Sequence, residues 1–71
     1  MTKKYQLQQE RFLRSVNKFG GNPPTFKFDS ALERITLVES PSTFLKMLID
    51  DGASLFLKSE GLIVEFYEPT K

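Results

Sequence analysis

Residues 40–68 read SPSTFLKMLIDDGASLFLKSEGLIVEFYE and contain one helix signal followed by two strand signals. Ser40 and Pro41 are typical of a helix start. The serine hydroxyl can accept from free backbone N–H groups, and proline at the first helical position has no N–H to leave unpaired. Gly52 can adopt the left-handed conformation that ends a helix. The stretch therefore predicts a helix over residues 41–51, with one apolar stripe formed by Phe44, Leu45, Leu48 and Ile49.

Two strands flank residues 59–61 within residues 53–67. Because side chains alternate between the two faces of a strand, the loop length decides which residues share a face. A three-residue loop would set Leu55 against Glu65. A loop of two or four residues instead gathers the apolar side chains on one face, and this is the predicted register for Leu55, Leu57, Leu62, Val64 and Phe66.

The same register leaves a second apolar group on the other face, where Ser54, Lys58 and Glu65 interrupt it. This group is our candidate protein-interaction site and consists of Phe56, Ile63 and Tyr67. Two explanations remain open for it. Either the N-terminal helix covers this face, so that the sheet is buried on both sides, or the face is exposed and available to a partner.

Residues 3–19 predict an amphipathic helix, which Gly20 and Gly21 end. Four apolar side chains lie within an arc of about 60° on a helical wheel, namely Tyr5, Phe12, Val16 and Phe19. Four basic side chains gather on the opposite side, namely Lys4, Arg11, Arg14 and Lys18. These are candidate residues for binding a nucleic acid or an acidic partner, although such charges are also common on a solvated helix face.

Residues 25–29 alternate as a half-buried strand does, with Phe26 and Phe28 on one face. Residues 30–39 allow two interpretations. Ser30 and Glu33 have the spacing of a helix-capping box, but the segment that follows is rich in β-branched residues and alternates like a strand. We favour a hairpin with its turn near residues 29–33.

Charge is divided unevenly along the 71 residues, although the net charge is only +1. Residues 1–28 carry six basic and one acidic side chain, a net +5, whereas residues 29–71 carry four basic and eight acidic side chains, a net −4. Opposite charges on the two segments could draw two copies of the chain together. Self-association, including a homodimer, is therefore one expected form of protein binding.

The composition excludes several kinds of site. The chain has no cysteine and no histidine, so it lacks the usual nucleophile, general base and metal ligands. We expect no enzymatic activity, no cofactor and no metal, and nothing indicates a small-molecule ligand. The lack of cysteine favours a reducing, cytoplasmic location. No apolar run approaches the roughly 18 residues that span a bilayer, so we expect no membrane partner.

The sequence as a whole predicts one small α+β domain over residues 1–71, in the order α-β-β-α-β-β. Its antiparallel sheet consists of two hairpins packed with two helices, and we expect residues 1–2 and 69–71 to be frayed. The favoured function is that of a small intracellular protein-interaction module or regulator without catalysis. The alternative is a nucleic-acid-binding protein that uses the basic side of the N-terminal helix.

Overall fold

The structure is a computed structural model that describes residues 2–67. Its elements are α1 (Lys3–Lys18), β1 (Thr25–Asp29), β2 (Arg34–Glu39), α2 (Ser42–Asp50), β3 (Ala53–Lys58) and β4 (Gly61–Phe66). The strands form one antiparallel sheet in the order β1-β2-β4-β3. The predicted element order and the antiparallel sheet are confirmed. Neither helix is long and apolar enough to cross a membrane.

The hydrophobic core lies between one face of the sheet and both helices. Its buried apolar residues come from every element except β1, namely Tyr5, Phe12, Ile35, Leu37, Phe44, Leu48, Ala53, Val64 and Phe66. Phe12 is fully buried at its centre, and its ring meets those of Phe26 and Phe44 edge-on, with centroids 4.8 and 6.0 Å away. Such edge-to-face pairs add to the free energy of burial.

The second hairpin has the predicted register, and the first hairpin forms as predicted. In the second hairpin Leu55 lies opposite Val64 and Leu57 opposite Leu62, with a two-residue loop between Lys58 and Gly61. In the first, residues 34–39 form a strand, so the hairpin interpretation of residues 30–39 is confirmed. Alternation of side chains therefore predicted which residues of each strand share the face toward the helices, although Leu57 on that face is 82% exposed and not part of the core.

The start of α2 differs from the prediction. Pro41, in an extended conformation, is the residue that caps the helix, and its carbonyl accepts from the N–H of Phe44 at 3.0 Å. The Ser40 hydroxyl does not accept from the helix but donates to the Pro41 carbonyl at 3.1 Å. The predicted cap was wrong because the helix begins one residue later, which places Ser40 too far from the free N–H groups.

The apolar stripe of α2 is also shifted. Ile49 is exposed, and Met47 packs against the core instead. Residues 44, 47 and 48 follow the i, i+3, i+4 spacing of one helix face, and Ile49 lies beside that face. The predicted end of the helix is confirmed, since Gly52 has φ 94°.

Thr2, which we expected to be frayed, caps α1 instead. Its hydroxyl accepts from the N–H of Tyr5 at 3.2 Å, and its own N–H donates to the carboxylate of Glu33 at 2.8 Å. Met1 and residues 69–71, the rest of that expectation, lie outside the described residues. The contact with Glu33 fixes the start of α1 against the turn between β1 and β2.

Candidate protein-interaction surface

Both helices pack on one face of the sheet, so α1 does not cover the other face. We call this second face the open face. Across its middle, residues from all four strands lie side by side in one row, namely Lys27, Thr36, Ile63 and Phe56. Of the two explanations for the second apolar group, burial under α1 does not apply: Phe56 is 46% exposed, and Ile63, although buried, lies on the face away from both helices.

The three candidate interaction residues differ in exposure. Phe56 lies on an edge strand and is 46% exposed, whereas Ile63 lies on a central strand and is only 8% exposed. Neighbouring side chains cover Ile63, because strands flank it on both sides. Tyr67 is 66% exposed and follows the end of β4. It lies four positions after Ile63, a distance of about 13 Å along a strand, so only Phe56 and Ile63 are direct neighbours.

A cleft of about 410 Å³ opens at one end of the sheet. The pairing of β2 with β4 stops at Ile35 and Val64. Phe56 and Ile63 line the cleft together with basic and acidic side chains, namely Lys4, Arg34, Lys58, Glu33 and Glu65. The sequence did not reveal this cleft, because the pattern within each strand does not show where the pairing of two strands stops.

The side chain of Arg34 contacts the β3–β4 turn. The guanidinium of Arg34, a residue that alternation places on the open face, is 3.9 Å from a carboxylate oxygen of Glu60. A hydrogen bond from the Ser59 hydroxyl lowers the pKa of Glu60, and the charges of Arg34 and Lys58 lower it further. This exposed ion pair stabilises the fold little, but it adds charge beside the apolar centre of the face.

The basic side chains of α1 divide into two groups. The guanidinium of Arg11 stacks over the ring of Phe66 at 4.8 Å and donates to the carbonyls of Tyr67 at 2.7 Å and Asp51 at 2.8 Å. Lys18 forms an ion pair with Asp51 at 3.2 Å. Arg11 and Lys18 thus hold α1 against the end of α2 and β4. Lys4 and Arg14 are exposed to solvent.

Asp51 is a structural residue that the sequence did not reveal as such. Its carboxylate accepts from the buried Ser15 hydroxyl at 3.0 Å and from Lys18. Burial alone would raise the pKa of Asp51, but the hydrogen bonds from Lys18 and Ser15, with the charges of Lys18 and Arg11, outweigh it and lower the pKa. The clue in the sequence was Ser15, a polar residue beside the apolar arc of α1.

Comparisons of the chain with protein-family models, with curated proteins and with solved structures found no match. We therefore infer a function from the open face and the surface of α1 alone.

Proposed function

We propose that the protein is a small intracellular interaction module without catalytic activity, which binds a protein partner through the open face of its sheet. One observation carries this proposal: both helices lie on the opposite face, and Phe56 stays half exposed beside Ile63. Around these residues are the charged side chains of Lys27, Lys58 and Glu65. An apolar, aromatic centre with a polar rim is the usual composition of a protein-binding surface.

Nucleic-acid binding through α1 is the alternative, and the contacts of its basic residues favour it less. Arg11 and Lys18 make contacts within the chain, which leaves Lys4 and Arg14 exposed. Binding that depends on phosphate contacts weakens as the number of available cations falls. Binding of a protein to the open face does not require Arg11 and Lys18 to leave these contacts.

The composition supports the remaining parts of the proposal. Without cysteine or histidine the chain lacks the residues that most often act as nucleophile or general base. The absence of cysteine also fits a reducing compartment, and on this ground we place the protein in the cytoplasm.

The test compares two variants of exposed apolar residues in a partner-capture experiment. Phe56→Ser removes the aromatic centre of the open face, and Leu13→Ser makes a matched change on the exposed side of α1. We expect the affinity for a captured protein to fall about tenfold or more in Phe56→Ser and to be unchanged in Leu13→Ser. Circular dichroism of both variants shows whether the fold is retained.

Two outcomes would overturn the proposal. The first is a partner that binds both variants as tightly as the original chain. The second is binding of RNA or DNA in low salt that disappears when Lys4 and Arg14 are changed to Glu, with no protein retained by the open face. The second outcome would establish the nucleic-acid alternative.

A further inference from the structure

The two edges of the sheet are built differently. β1, at one edge, has a charged residue, Lys27, at its middle, a shift of register between Thr25 and Phe26, and two prolines just before it. Charges, irregular pairing and proline are the features by which edge strands avoid pairing with other chains. β3, at the other edge, has none of them from residue 53 to residue 57, and its register against β4 is regular.

β3 also exposes large apolar side chains on both of its faces. Leu57, on the face that carries the helices, is 82% exposed, and its neighbour Phe56, on the open face, is 46% exposed. A partner lying on one face of the sheet would cover only one of them. A strand paired along the edge would cover both, since each strand presents side chains to both faces.

The backbone N–H and C=O groups of the odd-numbered residues of β3 point toward its free edge. The carbonyl of Gly52 accepts from the N–H of Tyr67 at 3.0 Å, which shows that this even-numbered position points toward β4. Backbone groups alternate in direction along an antiparallel strand. The N–H and C=O groups of Leu55 and Leu57 therefore point away from β4, and β3 has no strand on that side within residues 2–67.

We propose that this edge pairs with β3 of a second copy of the chain, antiparallel and centred on Phe56. In this register Phe56 lies opposite its counterpart, and Leu55 lies opposite Leu57 of the other copy. About four backbone hydrogen bonds join the two copies, two at each Leu55–Leu57 pair. The product is one continuous eight-stranded sheet with all four helices on the same face.

Neighbouring registers are less favourable. Centring the pair on Leu55 sets Phe56 against Ser54, and centring it on Leu57 sets Phe56 against Lys58. Only the register centred on Phe56 pairs all three apolar residues with apolar residues, and it places Lys58 opposite Ser54 instead of another charge. The segment Leu55-Phe56-Leu57 is thus complementary to itself, which is the reason that a second copy is the proposed occupant.

This inference goes beyond the proposed function, because its hydrogen bonds come from the backbone edge of β3 and it also buries Leu57, while Phe56 is the one residue of the open face that it shares. Leu57→Pro removes the outward N–H while leaving Phe56, Ile63 and Tyr67 unchanged. Proline is tolerated at an edge position whose N–H faces solvent. Loss of the dimer in Leu57→Pro with partner capture retained would therefore separate the two proposals.

Sedimentation of the full chain over a concentration series gives the first test. The original chain is expected to rise from 8.2 kDa toward twice that mass. Leu57→Pro is expected to raise the dissociation constant at least about tenfold, and Leu57→Lys gives the same result if the proline variant does not fold. Leu13→Lys, on the exposed side of α1, is the matched control and should dimerise normally.

Disulfide trapping gives the second test and reports the register. The chain has no cysteine of its own. Residues opposite each other at a pair without backbone hydrogen bonds have Cα atoms about 4.5 Å apart, within the range of a disulfide. Phe56→Cys should therefore cross-link rapidly to a second copy. Ser54→Cys, whose counterpart would lie about 13 Å away along the strand, should not.

Three outcomes would overturn the proposal. One is a chain that stays at 8.2 kDa up to millimolar concentration. Another is a dimer that persists in both Leu57 variants, which would indicate contact between open faces. The third is equally rapid cross-linking of Ser54→Cys and Phe56→Cys, which would exclude the register. In the first case, binding of a different protein through Leu57 would identify another occupant of the edge.

Discussion

Gln8 of α1 completes the hydrogen bonding of Phe66 at the end of β4. Its side-chain amide donates to the carbonyl of Phe66 at 2.7 Å and accepts from the N–H of the same residue at 2.6 Å. β2 pairs with β4 only as far as Ile35 and Val64, so it supplies no partner to Phe66. The buried amide of Gln8 thus supplies the hydrogen bonds that a neighbouring strand would otherwise supply to Phe66.

Replacing Gln8 by Ala should strongly destabilise the protein. Both backbone groups of Phe66 would remain buried without a partner, and each such loss costs about 1–3 kcal/mol. We expect the free energy of unfolding to fall by about 2–4 kcal/mol, a large part of the stability of a chain this small. Urea denaturation followed by circular dichroism measures the change.

Gln6→Ala is the matched control, since Gln6 is exposed on the same helix, and its effect should stay within about 0.5 kcal/mol. Gln8→Glu separates the two hydrogen bonds, because an ionised carboxylate can accept from the N–H of Phe66 but cannot donate to its carbonyl. Equal stability of Gln8→Ala and the original chain would show that water replaces the amide without loss.

Gly61→Ala should also destabilise the fold, for a reason of backbone geometry. Gly61 has φ 138°, and a Cβ atom there would lie 2.5 Å from the carbonyl oxygen of Leu37 on β2. The variant must strain its backbone or move β4 away from β2, at a cost of about 1–3 kcal/mol or more. Thermal unfolding should show a clearly lower midpoint.

Gly20→Ala provides the comparison for this experiment. A Cβ atom at Gly20 would meet nothing within 4 Å, so the same chemical change should alter the free energy of unfolding by less than about 1 kcal/mol, or raise it slightly. If the two variants unfolded at the same temperature, close approach of β2 and β4 at Gly61 would not be important for stability.

Gln8 and Gly61 show what patterning in the sequence can and cannot predict. Alternation placed Leu55 with Val64 correctly, because one apolar face must be buried and a shift by one residue would expose it. The order of strands is set by contacts between hairpins, which alternation within a strand does not encode. The role of Gln8 depends on that order, as does the close approach at Gly61, and neither was predicted.

The same distinction applies to the candidate site. The sequence placed Phe56 and Ile63 on one face, but it left open whether α1 covers that face. α1 buries its apolar arc against the core side of the sheet, where Phe12 meets Phe26 and Phe44. Only the three-dimensional arrangement of the helices shows this, because an amphipathic helix can pack equally well on either apolar face.

Arg11→Lys should be a destabilising change even though it keeps the charge. The guanidinium of Arg11 donates to two carbonyls and stacks on the ring of Phe66. A lysine ammonium has no planar fork with which to make these contacts together. We expect a loss of about 1–2 kcal/mol in the free energy of unfolding, measured by urea denaturation.

Arg14→Lys is the control for this prediction, because Arg14 is exposed on the same helix and should tolerate the change within about 0.5 kcal/mol. The pair also guides studies of nucleic-acid binding. A change at Arg11 also disturbs the structure. Charge reversal that tests nucleic-acid binding should therefore be made at Arg14 and Lys4. Identical stability of the two Lys variants would contradict the structural role of Arg11.

Asp51→Asn should lower stability at neutral pH and have less effect in acid. The contacts from Ser15 and Lys18 outweigh burial and lower the pKa of Asp51 in the folded state. A carboxylate with a lowered pKa stabilises the fold above the pKa of the unfolded chain, about 3.9. That contribution is lost as the pH falls through the lower pKa of the folded state.

We therefore expect urea denaturation at pH 7 to show Asp51→Asn less stable than the original chain by about 1 kcal/mol, since the ion pair with Lys18 is partly exposed to solvent. The difference should narrow as the pH falls through the lowered pKa of Asp51 in the folded state, where the original chain also protonates this carboxylate. Asp50→Asn, one residue earlier and exposed, removes the same charge and should show a smaller difference at pH 7. A difference for Asp51→Asn that does not change with pH would mean that packing of the side chain, not its ionisation, joins α1 to the end of α2.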